Sequence, residues 1–219
     1  MKALLTTLLL LTAGILQAGD IRGTVTVLKK GGDGELSSFD NTIVYLKGLS
    51  SAAPKTPAIL DQVDKTFVPR VLPVVVGQEV QFWNRDKVMH NVFSTDVEPS
   101  FDLGRYPDGK YETQVFNTAG IFKIYCNIHQ TMIADIVVLE NTYFAATKED
   151  GSYEIKDVPP GTYTLHAVHI FGGEAETSIT IGKDPATQDF TLTSEKVVRE
   201  IEDHKNKDGK SYRSRSYRR

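Results

Sequence analysis

The stretch YCNIHQTMIADIVVLE, residues 125–140, holds the only cysteine of the chain, Cys126. His129 follows three residues later and Met132 three after that, before the chain passes into an apolar run. Upstream, FWNRDKVMHNVFS places His90 just beyond the strand-like EVQFWN. Two imidazoles, one thiolate and one weak thioether form the ligand set of a mononuclear type 1 copper site. Each donor has a reason to be there. A thiolate gives a short, covalent copper–sulfur bond, imidazoles serve both oxidation states, and a thioether binds weakly and favours the reduced ion. A site midway between the two preferred geometries rearranges little when one electron moves.

Other chemistries for these residues fit less well. Cys126 alone would read as a buried inert thiol, and Met132 as a plain core residue that leaves a three-ligand site. Structural zinc prefers more thiolates and no thioether. A Cys–His protease pair needs a third group to orient the base, and none is evident. Covalent haem attachment and a dinuclear copper centre each need a second cysteine, which the chain lacks. No phosphate-binding loop, nucleophile elbow, HExxH helix or dinucleotide fingerprint occurs. His166 and His169 in LHAVH are three apart in a strand-like run, so they face opposite sides and cannot chelate together.

The elements that must position the donors are strands. DIRGTVTVLKK alternates apolar and polar residues, and NTIVYLKG follows a Gly-rich turn. VLPVVVGQEVQFWN, KYETQVFNTAGIFKIY and MIADIVVLE are β-branched and aromatic runs broken by Gly, Asn and Pro. DGSYEIKDVPPGTYTLHAVH and AETSITIG continue the pattern, and no sustained 3.6-residue period appears between 20 and 195. Short strands at short spacing predict an all-β sandwich architecture. Cys126 would end one strand, with His129 and Met132 on the turn and IADIVVLE returning as the next. Of the adjacent Phe82 and Trp83, one should enter the core.

Export gives the single cysteine a context. Lys2, then ALLTTLLLLTAGIL, then QAGD reads as a secretory signal peptide over residues 1–18, cut after Ala18 or Gly19. A periplasmic or otherwise exported location follows. One cysteine cannot form an internal disulfide, so a free thiol in an oxidising compartment calls for a use or a shield. The formal charge of −3 argues against nucleic acid as a partner. The tail 204–219, HKNKDGKSYRSRSYRR, has seven Lys or Arg against one Asp and few apolar side chains. Disorder is expected there, the tail being either a solvated end without a role or a salt-sensitive contact to acidic partners or an anionic surface.

Residues 58–140 resemble a cupredoxin of the plastocyanin/azurin family. The resemblance is carried by TFVPRVLPVVVGQEVQFWNRD, MHNVFS and GIFKIYCNIHQTMIADIVV. The compact loop C-x2-H-x2-M is similar to that of amicyanin and of methylamine-utilisation-like proteins. The resemblance implies a Greek-key β-sandwich over 57–140 holding one type 1 copper at His90, Cys126, His129 and Met132. It also implies that Asn91 braces the ligand loop, that an amide near His129 bonds the thiolate, and that the exposed edge of His129 is the electron port. Gln130 stands where many relatives carry Pro beside the ligand histidine. The implied function is one-electron transfer between protein redox partners, cytochrome or dehydrogenase-like, without substrate turnover. The alternative is a periplasmic copper-binding carrier with no electron-transfer role.

KEDGSYEIKDVPPGTYTLHAVH resembles the carboxypeptidase-regulatory-like, transthyretin-like sandwich, whose opening strands match GDIRGTVTVL and NTIVYLKG. These pieces flank the copper-type segment. The expected organisation is therefore a split smaller sandwich, 19–52 with 141–195, around an inserted one. Closing a long insertion costs little extra chain entropy. The competing order is linear: an N-terminally extended copper domain over 20–140, followed by a small β module.

Overall fold

The computed structural model describes residues 18–96, 98–196 and 204–212. The signal peptide expected over 1–18 lies, except for Ala18, outside the described residues. Among the described residues the chain is all-β, with no helix. Its strands are β1 (Gly19–Leu28), β2 (Thr42–Lys47), β3 (Ala58–Val63), β4 (Thr66–Val68), β5 (Val71–Val75), β6 (Glu79–Asn84), β7 (His90–Ser94), β8 (Phe101–Tyr106) and β9 (Tyr111–Val115). There follow β10 (Gly120–Tyr125), β11 (Ile133–Leu139), β12 (Phe144–Ala146), β13 (Ser152–Val158), β14 (Gly161–His169), β15 (Glu174–Ile181), β16 (Ala186–Thr187) and β17 (Phe190–Thr193).

The strands form two sandwiches. In the first, β1 pairs antiparallel with β13 and parallel with β16 and β17, facing a sheet of order β12-β2-β14-β15. Ile21, Val25 and Val27 of β1 meet Val44 and Leu46 of β2 and Leu165 and Ala167 of β14 in one core. In the second, the sheet β5-β11-β10-β7-β8 faces β4-β3-β6-β9. Its core holds Leu60, Phe67, Val80, Phe82, Val92, Ile124 and Ile136, and also Cys126 and Met132. Phe82 is the core member of its pair. Trp83 lies on the outer face, tilted against Tyr111 with ring centres 4.4 Å apart and beneath the Arg85 guanidinium.

A third apolar layer joins the sandwiches. Ile43, Val71, Val137 and Leu139 are buried together, with Tyr45, Phe144, Val168 and Ile170 packed against them. Side chains alternate across a strand. In β11, Ala134, Ile136 and Val138 therefore fill the second core while Val137 and Leu139 fill this seam. Double burial is the reason IADIVVL reads as a continuous apolar run rather than an alternating one.

The chain leaves the first sandwich after β2 and re-enters it at β12, and the two crossings are clasped. Ser51 N–H donates to the Glu140 carbonyl, and the Asn141 amide donates to the carbonyls of Leu46 and Leu49. Among the described residues, the ladders of β3 to β11 run only among those strands, and those of β1 and β2 only to β12–β17.

Candidate metal centre

The donors come together because β7 and β10 are antiparallel neighbours, registered at Phe93 and Tyr125. From that register, chain running forward past Tyr125 lies beside chain running back from Phe93 toward His90. Cys126 is the first residue beyond β10, and the loop to β11 is closed by Cys126 N–H to the Met132 carbonyl. Met132 N–H in turn donates to the His129 carbonyl, which closes a tight turn from His129 to Met132.

His90, Cys126 and Met132 are fully buried, while His129 is half-buried. The three strong donors converge. Nδ1 of His90 lies 3.1 Å from Nδ1 of His129, and Cys126 Sγ lies 3.9 and 3.8 Å from those two nitrogens. A triangle with these edges has its vertices about 2.1 Å from a common centre, within about 0.2 Å of the roughly 2.0–2.1 Å and 2.3 Å that nitrogen and thiolate ligands make to a metal ion such as zinc. The donor chemistry and the spacing therefore fit a metal ion. Among the described residues, these three form the one cluster of its kind. Met132 belongs to the same buried core cluster as Cys126.

The surroundings prepare the donors. The Asp86 carboxylate accepts the Nε2–H of His90 at 2.7 Å. That bond assigns the proton to Nε2 and leaves the Nδ1 lone pair facing His129 and Cys126. Asp86 is itself fixed by the β3–β4 turn, whose Asp64 and Lys65 backbone N–H groups donate to its two oxygens at 2.7 and 2.8 Å. Both turn residues have positive φ, 51° and 57°, which aims both N–H groups the same way. Burial works against ionisation of Asp86, but these bonds outweigh it and hold the carboxyl below its usual range. Burial also pushes the Cys126 thiol up, against backbone N–H groups of Asn91, Ile128 and His129 that favour the thiolate. His129 is pushed down to about 4, first by burial and then by His90, so it is neutral and ready to ligate at ordinary pH.

Asn91 accepts the Asn127 N–H through Oδ1 at 3.0 Å and donates from Nδ2 to Asp102 Oδ1 and the Gly104 carbonyl. It thus ties β7, β8 and the Cys126–Met132 loop together. His166 and His169 lie elsewhere, in β14, on opposite faces. His166 stacks on Tyr45, and His169 bonds the Thr42 hydroxyl at 3.0 Å.

Two features have weak or no sequence signal. Asp86 precedes His90 by four residues in a loop, where spacing carries no geometric meaning. The disorder expected for 204–219 is not what the structure shows over 204–212. There, His204 packs tilted against Tyr125 with ring centres 4.6 Å apart, Lys207 bonds Asn127 and Asp102, and the Tyr212 hydroxyl donates to the Cys126 carbonyl. A composition rule counts the tail's few apolar groups but not the partners waiting for its polar and aromatic ones. Residues 213–219 of that expectation lie outside the described residues.

No family model and no curated protein matches the chain. Among solved structures, a purple cupredoxin from Nitrosopumilus maritimus is 26% identical over 37% of this chain and 99% of its own, at a TM-score of 0.34. A copper-containing nitrite reductase from Thermus scotoductus is 27% identical over 42% of this chain and 24% of its own, at 0.37. An amicyanin variant is 20% identical over 44% of this chain and 98% of its own, also at 0.37. Each likeness spans less than half of this chain.

Proposed function

We propose that the chain is an exported type 1 copper protein that passes single electrons between redox protein partners. The observation that carries this reading is the triangle of His90 Nδ1, His129 Nδ1 and Cys126 Sγ, with edges of 3.1 to 3.9 Å. His90, Cys126 and His129 are the strong ligands in this reading, and Met132 is the weak fourth. Bound copper supplies the one-electron chemistry. The protein's part is to hold the donors in one geometry for both charge states. Three buried ligand residues, the Asn91 brace and the Asp86 anchor all oppose rearrangement, and rigidity of that kind keeps the reorganisation on electron transfer small. With four protein ligands no open position remains for substrate, so turnover is not expected. His129, the half-buried ligand, is the route by which a partner reaches the site.

The same burial disfavours a carrier role, since metal release would require the Cys126–Met132 loop to open. The domain reading that goes with this function is a copper sandwich over 57–140 inserted into a transthyretin-like sandwich made of 19–52 and 141–195. The clasp between 46–51 and 140–143 supports it.

Addition of Cu(II) to the mature protein tests the function. An intense thiolate-to-copper absorption band in the visible should appear, be absent in Cys126→Ser, and bleach reversibly on one-electron reduction. A colourless product would sink the electron-transfer reading.

A further inference from the structure

We propose that residues 204–212 are part of the metal site: Lys207 and Tyr212 are positioning residues that clamp the ligand loop from outside. The contacts form a closed circuit. Asn127 N–H donates to Asn91 Oδ1 at 3.0 Å, and Asn91 Nδ2 donates to Asp102 Oδ1 at 2.6 Å. The Lys207 ammonium donates to Asp102 Oδ2 at 2.6 Å, and the Lys207 backbone N–H returns to Asn127 Oδ1 at 3.0 Å. Asn127, the residue after the cysteine, is thus gripped through its backbone by β7 and through its side chain by the tail. Tyr212 adds a second grip, donating to the Cys126 carbonyl at 2.7 Å.

The tail segment has its own local order. Asn206 accepts the backbone N–H groups of Asp208 and Lys210 through Oδ1, and Gly209 N–H closes a turn onto the Asn206 carbonyl. Gly209 has φ of +71°, where a side chain would be strained. Lys207 sits at the second position of that turn, its N–H and ammonium both directed at the site. Next to the turn, His204 lies on Tyr125 at 4.6 Å and near Phe93 at 6.0 Å, covering the outer face of β7 and β10. That cover agrees with the burial of all five residues of β7, which an uncovered sheet face would not give. A ligand loop held on both sides has fewer ways to open, so metal leaves it more slowly. Only the Lys207–Asp102 arm is a charge pair near solvent, so salt loosens the clamp in part and does not abolish it.

The test is a full-length Lys207→Pro/Tyr212→Phe variant beside a Lys205→Ala control, which loses the same charge without touching the circuit. Proline is favoured at the second position of such a turn, so the turn survives while the N–H and ammonium are both lost. In the metal-free protein, the Asn127 amide should exchange with solvent about tenfold faster in the variant and unchanged in the control. In the copper-loaded protein, copper release to a chelator should be about 10–100-fold faster, the usual effect of losing an outer partner of a ligand. The metal readout rests on the copper reading, while the exchange readout does not. A wild-type protein that takes no copper overturns the function but leaves the clamp to the exchange arm. Unchanged Asn127 exchange, or a copper-loaded variant that releases metal at the wild-type rate, overturns the clamp.

Discussion

Replacing Asp86 by Asn should raise the reduction potential of bound copper. The side chain keeps its shape and loses its negative charge, 2.7 Å from Nε2 of the His90 imidazole. Across the ring and one metal–nitrogen bond, that charge stands about 7 Å from the ion, and at an effective dielectric constant near 20 the interaction is about 2 kcal/mol per unit charge. The oxidised ion carries one positive charge more than the reduced ion, so the carboxylate favours the oxidised state by about that amount. For one electron this corresponds to a shift of about 100 mV upward on removal. The hydrogen bond acts in the same direction, since a carboxylate partner makes the imidazole a stronger donor to the more charged ion. Voltammetry of the wild type and Asp86→Asn, each fully copper-loaded, reads the shift directly. Equal potentials within about 20 mV, in a variant that keeps its absorption band, would refute the reasoning, because a shift that small is far below the estimate.

Away from the metal, three further outcomes follow from burial. His169 is pushed down to about 4 by burial, against 6.5 for the ordinary group. The unfolded chain therefore binds more protons between those values, and stability should fall as pH drops from 6.5 to 4, by up to about 3 kcal/mol. His169→Gln should flatten that part of the slope in urea titrations across the range, and an unchanged slope would count against it. Asp135 is buried between Arg70 and Lys123. Asp135→Ala should cost about 2–3 kcal/mol by chemical denaturation, below the value for a wholly buried pair because both cations reach solvent. Gly151 has φ of +79°, and a Cβ there would stand 2.2 Å from the Val25 carbonyl oxygen. Gly151→Ala should therefore destabilise the β1–β13 edge by more than about 2 kcal/mol, seen as a lowered denaturation midpoint.

The convergence of His90, Cys126 and His129 was legible because the candidate chemistry uses scarce residue types. One cysteine, with histidine and methionine at three-residue steps between strand-like runs, leaves few alternatives, and HNVFS supplies the missing imidazole. Strand character was legible as well, because β-branched alternation is a local property. The sequence was ambiguous where burial is two-sided. IADIVVL and TIVYL look alike as apolar runs, and nothing in them says that alternate residues serve two different cores. It was silent on Asp86, whose reach to His90 depends on two positive-φ residues of a turn more than twenty positions away. It misled at 204–212, where low apolar content pointed to disorder.

The amino-acid sequence by itself determined which donor atoms exist and that strands would present them, since ligand type and β propensity are properties of residues and their near neighbours. Only the tertiary structure decided that Nδ1, Nδ1 and Sγ meet, that Asp86 sets the tautomer of His90, and that the tail grips Asn127. Each of those rests on contacts between segments far apart in the chain, and such distances are fixed only when the sheets pack.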